Sequence, residues 1–216
     1  MDNSLYRIKN LSFKNDKFNL NIKKFDIHRG AIYMFSGNIG SGKSLVVNIL
    51  SKKLRYGGLV EFDGKDLLSY NPNSYKREVA LISDLPSSWC TSETYIKKYI
   101  KRYDAIKSNF KNVNSLLRKF GVGDILKRRV CSLSASHKRI LDLVSAIAAD
   151  PKVIVIDDAD MYLTSDELKV LKSVIYRKSN YDGITVVLTC RYHQNFSKFA
   201  SVNITLDSGR IVRVRS

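Results

Sequence analysis

One stretch decides the fold: Gly37-Asn38-Ile39-Gly40-Ser41-Gly42-Lys43-Ser44, which fits the phosphate-loop pattern G-x-x-x-x-G-K-S. The five apolar residues before it, 31–35, predict a buried strand, and residues 45–54 carry apolar side chains at helical spacing. A strand, a glycine-rich turn and a helix in this order are the context that a phosphate-binding loop needs. The glycines let backbone N–H groups turn inward around phosphate oxygens, and the start of the helix adds the positive end of its dipole.

The last two residues of the loop have side chains suited to a bound nucleotide. Lys43 is expected to reach the β- and γ-phosphates of ATP, and the Ser44 hydroxyl is expected to ligate Mg²⁺. The alternative is a glycine-rich turn that matches the pattern by chance, but such a turn would not require the flanking strand and helix. We therefore predict that the residues of this loop bind ATP together with Mg²⁺.

Length and composition bound the class of protein. At 216 residues the chain can bury the core of one α/β domain, with room for a small subdomain. No run approaches the roughly 18 apolar residues of a membrane span, and the first five residues lack the basic-then-apolar pattern of a signal peptide. The three cysteines and three histidines are scattered without metal-ligand spacing. These features predict a cytoplasmic protein whose metal binding depends on nucleotide.

A second nucleotide-binding element lies far downstream, where the apolar run Val153–Ile156 ends in Asp157 and Asp158. Such a run is typical of a buried parallel strand whose carboxyl end faces a nucleotide. Alone, it is equally compatible with a strand followed by a turn. Together with the phosphate loop, it predicts that Asp157 holds Mg²⁺ through its water shell and that Asp158 orients or deprotonates the attacking water.

The segment before this element indicates one family of phosphate-loop proteins. Its residues Leu133-Ser134-Ala135-Ser136-His137 open a helical stretch at 138–149, and Asp150-Pro151-Lys152 then leads into the apolar run. Here the sequence resembles the ATP-binding cassette (ABC) ATPases, in which an L-S-G-G-Q signature precedes a helix, a short turn with proline and a strand ending in Asp-Glu. The resemblance extends to an N-terminal strand at 10–13, a turn at 26–30 and hairpins at 58–64 and 200–214.

The resemblance implies roles that several residues fill incompletely. The family usually places an aromatic residue near positions 14 or 15 to stack on adenine, but this chain has Lys14 and Asn15 there. Phe13 or Phe18 would then be the substitute. The metal-sensing glutamine of the family aligns with Asp84, which we name as a candidate for binding a metal-bound water.

The signature segment is altered in the same way. In the family this loop reaches across a dimer to the γ-phosphate bound by the other subunit. The chain keeps Leu133 and Ser134, so the Ser134 hydroxyl is the candidate nucleotide contact. Both glycines are replaced, by Ala135 and Ser136, and the added Cβ atoms hinder a close backbone approach.

Further departures concern the chemistry itself. The catalytic glutamate aligns with Asp158, whose carboxylate stops roughly 1.5 Å short of a glutamate's, about one C–C bond. The switch histidine aligns with Cys190, while His193 lies three residues on, and residues 161–164 lack the aspartate that contacts the second subunit. We therefore name Asp158 and Lys43 as catalytic candidates and expect an ATPase with slow turnover, in which nucleotide binding is better preserved than hydrolysis.

The chain is strongly basic, with 37 Lys and Arg against 20 Asp and Glu and a net charge of +17. Residues 91–130 alone hold eleven basic and three acidic residues. Such a charge favours an anionic partner, and an anionic lipid surface is the one we name. The alternative is a solvated helix face in a lysine-rich chain. Tyr95, Tyr99, Tyr103 and Phe110 recur at four- and seven-residue spacing, which indicates a core stripe.

These observations predict a phosphate-loop α/β domain over residues 1–216, with a mainly parallel central sheet, an antiparallel β element and a helical subdomain at about 85–140. The resemblance implies the ATP-binding subunit of an ABC membrane transporter, peripheral on the cytoplasmic face, with ATP held between two such subunits and a separate transmembrane partner. The alternative is an ABC-type protein that uses ATP binding as an assembly or conformational switch of a membrane-associated complex. Nucleic acid is an unlikely partner, because the chain lacks the insertions typical of ABC proteins that act on it.

Overall fold

The computed structural model describes residues 3–16, 18–103 and 109–216, so Asp104 and Lys107 of the basic segment lie outside the described residues. The strands are β1 (Ser4–Asn15), β2 (Phe18–His28), β3 (Ile32–Ser36), β4 (Gly57–Phe62), β5 (Lys65–Asp66), β6 (Val79–Ile82), β7 (Val153–Ile156), β8 (Thr185–Thr189), β9 (Val202–Asp207) and β10 (Arg210–Arg215). The helices are α1 (Lys43–Leu50), α2 (Pro72–Glu78), α3 (Ser92–Lys101), α4 (Asn109–Lys119), α5 (Ala135–Ala148) and α6 (Ser165–Asp182).

The strands form two sheets, which confirms the predicted α/β architecture. The larger sheet has the order β10-β9-β3-β8-β7-β6, and its strands are parallel except for β10, which pairs antiparallel with β9. The smaller sheet, β2-β1-β4-β5, is antiparallel throughout. Because β3, β8 and β7 are parallel neighbours, their carboxyl ends meet at one edge of the larger sheet.

The central strands are buried on both faces, which explains why they read as continuous apolar runs. Met34, Ile156 and Leu188 belong to one apolar cluster. They share it with α5 and with the region of α3 and α4, which we call the helical segment. Phe35 and Val155 belong to a second cluster, between the larger sheet, α1 and the antiparallel sheet. The period of two residues along each strand thus assigns alternate side chains to the two cores.

The helical segment packs onto the larger sheet. Val113 and Leu117 of α4 and Val122 lie in the same apolar cluster as the sheet residues. Tyr99 is buried there, and the predicted stripe is completed by Tyr95, Tyr103 and Phe110, which pack against the cluster. This shared core supports our proposal of a single domain over residues 1–216 with a helical part at about 85–140. Among the described residues, no helix has both the length and the apolar character needed to cross a membrane.

The phosphate-loop helix is shorter than predicted. We expected it over 45–54, but α1 begins at Lys43 and ends at Leu50. It ends in a Schellman motif, in which the N–H of Lys52 bonds to Ile49 O at 2.9 Å and the N–H of Lys53 to Asn48 O at 2.8 Å. Lys52 takes the left-handed conformation there, with φ 57°, where a glycine is usual. The missing glycine is the reason the sequence did not predict this end.

The helix that follows the signature segment, α5, differs from its prediction at its N-terminus. We expected it over 138–149, whereas α5 begins at Ala135. Ser134 is the N-cap, and its Oγ accepts a hydrogen bond of 3.2 Å from the N–H of His137. Ala135 and Ser136, which replace the family's glycines, therefore form the first turn of the helix.

Two buried tyrosines fix the carboxyl end of α1. The hydroxyls of Tyr6 on β1 and Tyr75 on α2 both donate to Leu50 O, Tyr6 at 3.3 Å, and the two hydroxyl oxygens lie 2.6 Å apart. Both side chains are fully buried or nearly so. The helix that carries the phosphate loop is thereby attached to the antiparallel sheet and to α2 through one carbonyl group.

Replacing Tyr75 by phenylalanine should lower the free energy of unfolding by about 1–3 kcal/mol, because it removes a buried donor and leaves the Tyr6 hydroxyl without this partner. Tyr181→Phe is the matched control, since Tyr181 is 79% exposed and should change stability by less than about 0.5 kcal/mol. Urea denaturation measures both. Equal effects of the two substitutions would contradict the role of the Tyr75 hydroxyl.

Candidate functional site

The phosphate loop lies at the edge where β3, β7 and β8 end, and it forms one wall of an open cavity of about 920 Å³. The cavity is lined by residues 37–45 and by Phe18, Asp158, Arg191 and Tyr192. Four separate parts of the chain therefore converge on it: β2, the loop with the start of α1, the turn after β7 and the segment after β8. The first two parts lie more than a hundred residues before the last two in the sequence, so the site exists only in the folded chain.

The loop approaches neighbouring backbone so closely that glycine is required at its first position. Gly37 has φ 145°, and a Cβ there would lie 2.2 Å from the carbonyl oxygen of Leu206 on β9. Gly42, the last residue before α1, has φ 103°, and a Cβ there would lie 3.0 Å from Cζ of Phe18. The backbone is thus held against β9 on one side and an aromatic ring on the other.

The side chains of Lys43 and Ser44 are held by hydrogen bonds. Lys43 Nζ donates to Gly37 O at 2.8 Å and to Asn38 O at 3.0 Å, so its ammonium group lies against the loop. Ser44 Oγ donates to Asp157 Oδ1 at 3.1 Å. The structure therefore brings together Lys43, Ser44 and Asp157, three residues that the sequence analysis named from two distant motifs.

Thr189 links these groups to the next strand, and the sequence analysis missed it. Its hydroxyl donates to Asp157 Oδ1 at 2.6 Å and accepts the Asp158 N–H at 2.7 Å. The side chain is fully buried at the end of β8. A polar residue at the end of an otherwise apolar strand was the available signal. With both bonds made, the Asp157 carboxylate has a defined orientation toward Ser44.

A buried arginine holds the peptide groups of the two aspartates. Arg139 Nη2, on α5, donates to Asp157 O at 2.5 Å and Asp158 O at 2.9 Å, and Nη1 donates to Ser83 O at 3.3 Å. Arg139 is 2% exposed, and burial lowers the pKa of its guanidinium. Asp158 has φ 47°, an uncommon conformation that these contacts help to maintain. The sequence analysis also missed Arg139, although an arginine beside apolar helix residues was visible.

The segment after β8 places one cation in the cavity. Asp160 accepts hydrogen bonds of 2.9 Å from the backbone N–H groups of Arg191 and Tyr192. Arg191 Nε lies 3.4 Å from Asp158 Oδ2. Cys190 is buried, with Sγ 3.5 Å from the sulfur of Met34, and burial raises the pKa of its thiol to about 12. Cys190 therefore points into the core, away from the cavity.

Comparison with known proteins decides the family. The model of the ABC transporter family matches residues 20–161, which is more than half of the chain. The chain belongs to the ABC transporter family.

Relatives of this ABC protein agree with the assignment. It is 26% identical over 205 residues to the energy-coupling factor transporter ATP-binding protein EcfA2 of Streptococcus pyogenes serotype M5, covering 90% of this chain and 72% of the relative. Its fold matches that of an ATP-binding subunit of an ABC transporter, with a TM-score of 0.87, 20% identity and coverage of 99% and 90% of the two chains. The cassette MJ0796, solved as a dimer with ADP and Pi, matches with a TM-score of 0.81, 18% identity and coverage of 98% of each chain.

Asp84, Ser134 and His193 of this ABC protein lie outside the cavity lining. The Asp84 side chain is 93% exposed, with Oδ2 3.7 Å from Lys53 Nζ. Ser134 is exposed at the start of α5, and His193 is exposed in a turn after β8. Both candidate adenine-stacking residues, Phe13 and Phe18, pack against the core that includes the antiparallel sheet, but only Phe18 also lines the cavity.

A buried carboxyl group lies one helical turn beyond Arg139. Asp142 Oδ1 accepts a hydrogen bond of 2.9 Å from the hydroxyl of Tyr95 on α3. Burial raises the pKa of Asp142 to about 6, against the opposing effects of the Tyr95 hydrogen bond and the Arg139 charge. The signature helix is thus joined to the helical segment by a carboxyl group that is costly to ionise.

This raised pKa predicts a pH-dependent stability difference between Asp142→Asn and the unmodified protein. The folded protein retains a proton on Asp142 that the unfolded chain releases, so the contribution of Asp142 to stability falls as pH rises from about 4 to about 6 and is constant above. Across this pH window, the free energy of unfolding of the variant should rise by about 2–3 kcal/mol relative to that of the unmodified protein. Chemical denaturation at several pH values measures the gain, and a difference that does not change with pH would contradict it.

Proposed function

We propose that this protein is the ATP-binding subunit of an ABC transporter complex, which binds Mg–ATP at the phosphate loop and acts on a separate membrane protein. The observation that carries the proposal is that the phosphate loop with Lys43 and the turn with Asp158 line the same cavity, and that Ser44 of the loop bonds Asp157 of that turn. Family membership makes a transport complex the favoured setting. The EcfA2 relative is named as the ATP-binding protein of a transporter.

The loop suits a chain of phosphates. The first N–H groups of α1 have no partners within the helix. They lie at the end of the helix that lines the cavity, which is also the positive end of its dipole. The Lys43 ammonium contacts the carbonyls of Gly37 and Asn38, and phosphate oxygens would offer it stronger, charged acceptors. The loop residues 37–44 would therefore form the nucleotide site. Phe18, beside Gly42 in the cavity wall, would be the aromatic ring that stacks on the base.

Ser44 and Asp157 would hold Mg²⁺. A hydroxyl and a carboxylate 3.1 Å apart form an oxygen donor set of the kind this ion uses when it retains several waters. Bound there, the ion would neutralise charge on the β- and γ-phosphates. Asp84 stays a prediction as a further ligand through water, since its carboxylate would first have to leave Lys53.

Hydrolysis should be slow. Asp158 is the candidate base, with Lys43 stabilising charge on the phosphates. In this structure the Asp158 carboxylate is paired with Arg191, and it reaches about one C–C bond less far than a glutamate. A misplacement of about 1 Å in a reacting group can cost about a hundredfold in rate.

A second subunit and a membrane partner complete the proposal. Ser134 lies exposed at the N-terminus of α5, where it could serve a nucleotide bound by another copy or by a related ABC ATPase. The protein would then be peripheral on the cytoplasmic face of a membrane. The alternative, an ATP-binding assembly switch without transport, rests on Asp158 and Cys190 alone, and we do not favour it.

Nucleotide binding and turnover by the purified protein, alone and with its co-purifying membrane partner, test the proposal. Lys43→Ala should weaken Mg–ATP binding at least about tenfold, because a charge-assisted contact to phosphate is removed. Lys169→Ala is the matched control, since Lys169 is exposed on α6. Turnover that exceeds the Lys43→Ala level and rises with a transported substrate is expected. Tight binding with turnover at the Lys43→Ala level would support the switch instead.

We also propose contact with anionic lipid through exposed cations of the helical segment. Lys98, Lys101 and Arg102 are exposed at the end of α3, next to Lys97, whose ammonium is paired with Glu93 at 2.6 Å. Each basic residue near an anionic membrane surface contributes about 1 kcal/mol. The four cations lie on one helical stretch and would act together at such a surface.

Neutralising Lys97, Lys98, Lys101 and Arg102 to glutamine should reduce binding to phosphatidylserine-containing vesicles by at least about tenfold at physiological salt. The control carries the same number of substitutions at exposed cations of β2 and β10, namely Lys23, Lys24, Arg210 and Arg213. Vesicle co-sedimentation measures both. Equal losses would attribute binding to net charge and exclude the α3 surface as the contact.

A further inference from the structure

We propose that Arg191 contacts the γ-phosphate of ATP and that this contact releases Asp158 from its ion pair. The inference rests on the proposed nucleotide site and adds to it a residue that neither the sequence motifs nor the family resemblance assigns. In the structure Arg191 holds the carboxylate of the candidate base, and both side chains line the cavity next to the loop.

The backbone of Arg191 is fixed while its side chain is held by one weak contact. Asp160 bonds the N–H groups of Arg191 and Tyr192 and the side-chain amide of Asn195, each at 2.9 Å. The guanidinium contacts Asp158 only through Nε at 3.4 Å among the described residues, and the side chain is 58% exposed. The side chain can therefore move to a new acceptor without any movement of the segment that carries it.

The cations of the cavity lining are Lys43 and Arg191. The Lys43 ammonium is bonded to the loop carbonyls, whereas the Arg191 guanidinium is bonded to Asp158, on a separate part of the cavity lining. A guanidinium presents five donors in a fork that matches phosphate oxygens, so a terminal phosphate is a better partner than one carboxylate oxygen at 3.4 Å. ADP lacks that terminal phosphate, and the contact should therefore distinguish the two nucleotides.

The chemistry of the segment leaves this role to Arg191. Cys190, at the position of the family's histidine, points into the core, and His193 lies outside the cavity lining. An arginine stays protonated, so it can supply positive charge but cannot transfer a proton. Its movement onto phosphate would remove the positive charge next to Asp158 and free the carboxylate to accept a hydrogen bond from water. Exposure of Asp158 as a base would then depend on the γ-phosphate.

The test compares the affinities of the purified protein for ADP and for a non-hydrolysable ATP analogue, both with Mg²⁺, by displacement of a fluorescent nucleotide. Arg191→Gln should weaken binding of the ATP analogue about tenfold and change ADP affinity less than about twofold. Arg191→Lys, which keeps the charge and loses the fork, should fall between. Arg213→Gln is the control, because Arg213 is exposed on β10, away from the cavity, and the substitution removes the same charge. Its affinity ratio should equal that of the unmodified protein.

The outcomes separate this inference from the proposed function. An unchanged ratio of the two affinities in Arg191→Gln, with both nucleotides still bound, would overturn the role of Arg191 and leave the nucleotide site intact. Equal weakening of both nucleotides would also overturn it, since the contact would then not involve the terminal phosphate. If the unmodified protein bound neither nucleotide, the proposed function itself would be contradicted. Thermal unfolding of each variant establishes that the comparison is made between folded proteins.

Discussion

The hydrogen bond from Thr189 to Asp157 holds together the two strand ends on which the site is built. The Thr189 hydroxyl donates to the Asp157 carboxylate and accepts from the Asp158 backbone, so one buried group orients both aspartates. The bond can form only because β7 and β8 are parallel neighbours in one register, with Ile156 opposite Leu188. A shift of one residue would turn every side chain of a strand to the other face. The apolar packing of the two cores therefore also determines where the polar groups meet.

Arg139 extends this dependence to the helices. Its guanidinium contacts the carbonyls of the residues that follow β6 and β7, and it lies on α5, the helix capped by Ser134. One turn further, Asp142 connects the same helix to Tyr95 on α3. Hydrogen bonds through α5 thus link the helical segment to the peptide groups of Asp157 and Asp158. The same helix carries the signature residue Ser134 at its N-terminus. A displacement of α5 would act directly on the backbone that carries the candidate base.

Much of this arrangement follows from local sequence. The apolar runs, the glycine pattern and the last hairpin, predicted at 200–214, depend on neighbouring residues, and each occurs where it was predicted. Other features depend on contacts between residues far apart in the chain. The end of α1 at Leu50 uses a lysine where glycine is usual, and Thr189 and Arg139 have partners 18 to 56 positions away. The orientation of Arg191 toward Asp158 belongs to the same class, since it depends on how Asp160 folds the segment after β8.

The tyrosine pair at the carboxyl end of α1 has a consequence for binding at the other end of that helix. Tyr6 and Tyr75 bond Leu50 O, and the Lys52 side chain bonds the carbonyls of Leu67 and Leu68, so the helix is anchored at its far end before any ligand arrives. Gly37 is likewise confined against β9. A phosphate group would therefore meet a preorganised set of N–H groups, and little conformational entropy would be lost in ordering the loop. The affinity of such a site is set by charge and contact geometry, while the free energy that fixes the loop comes from folding.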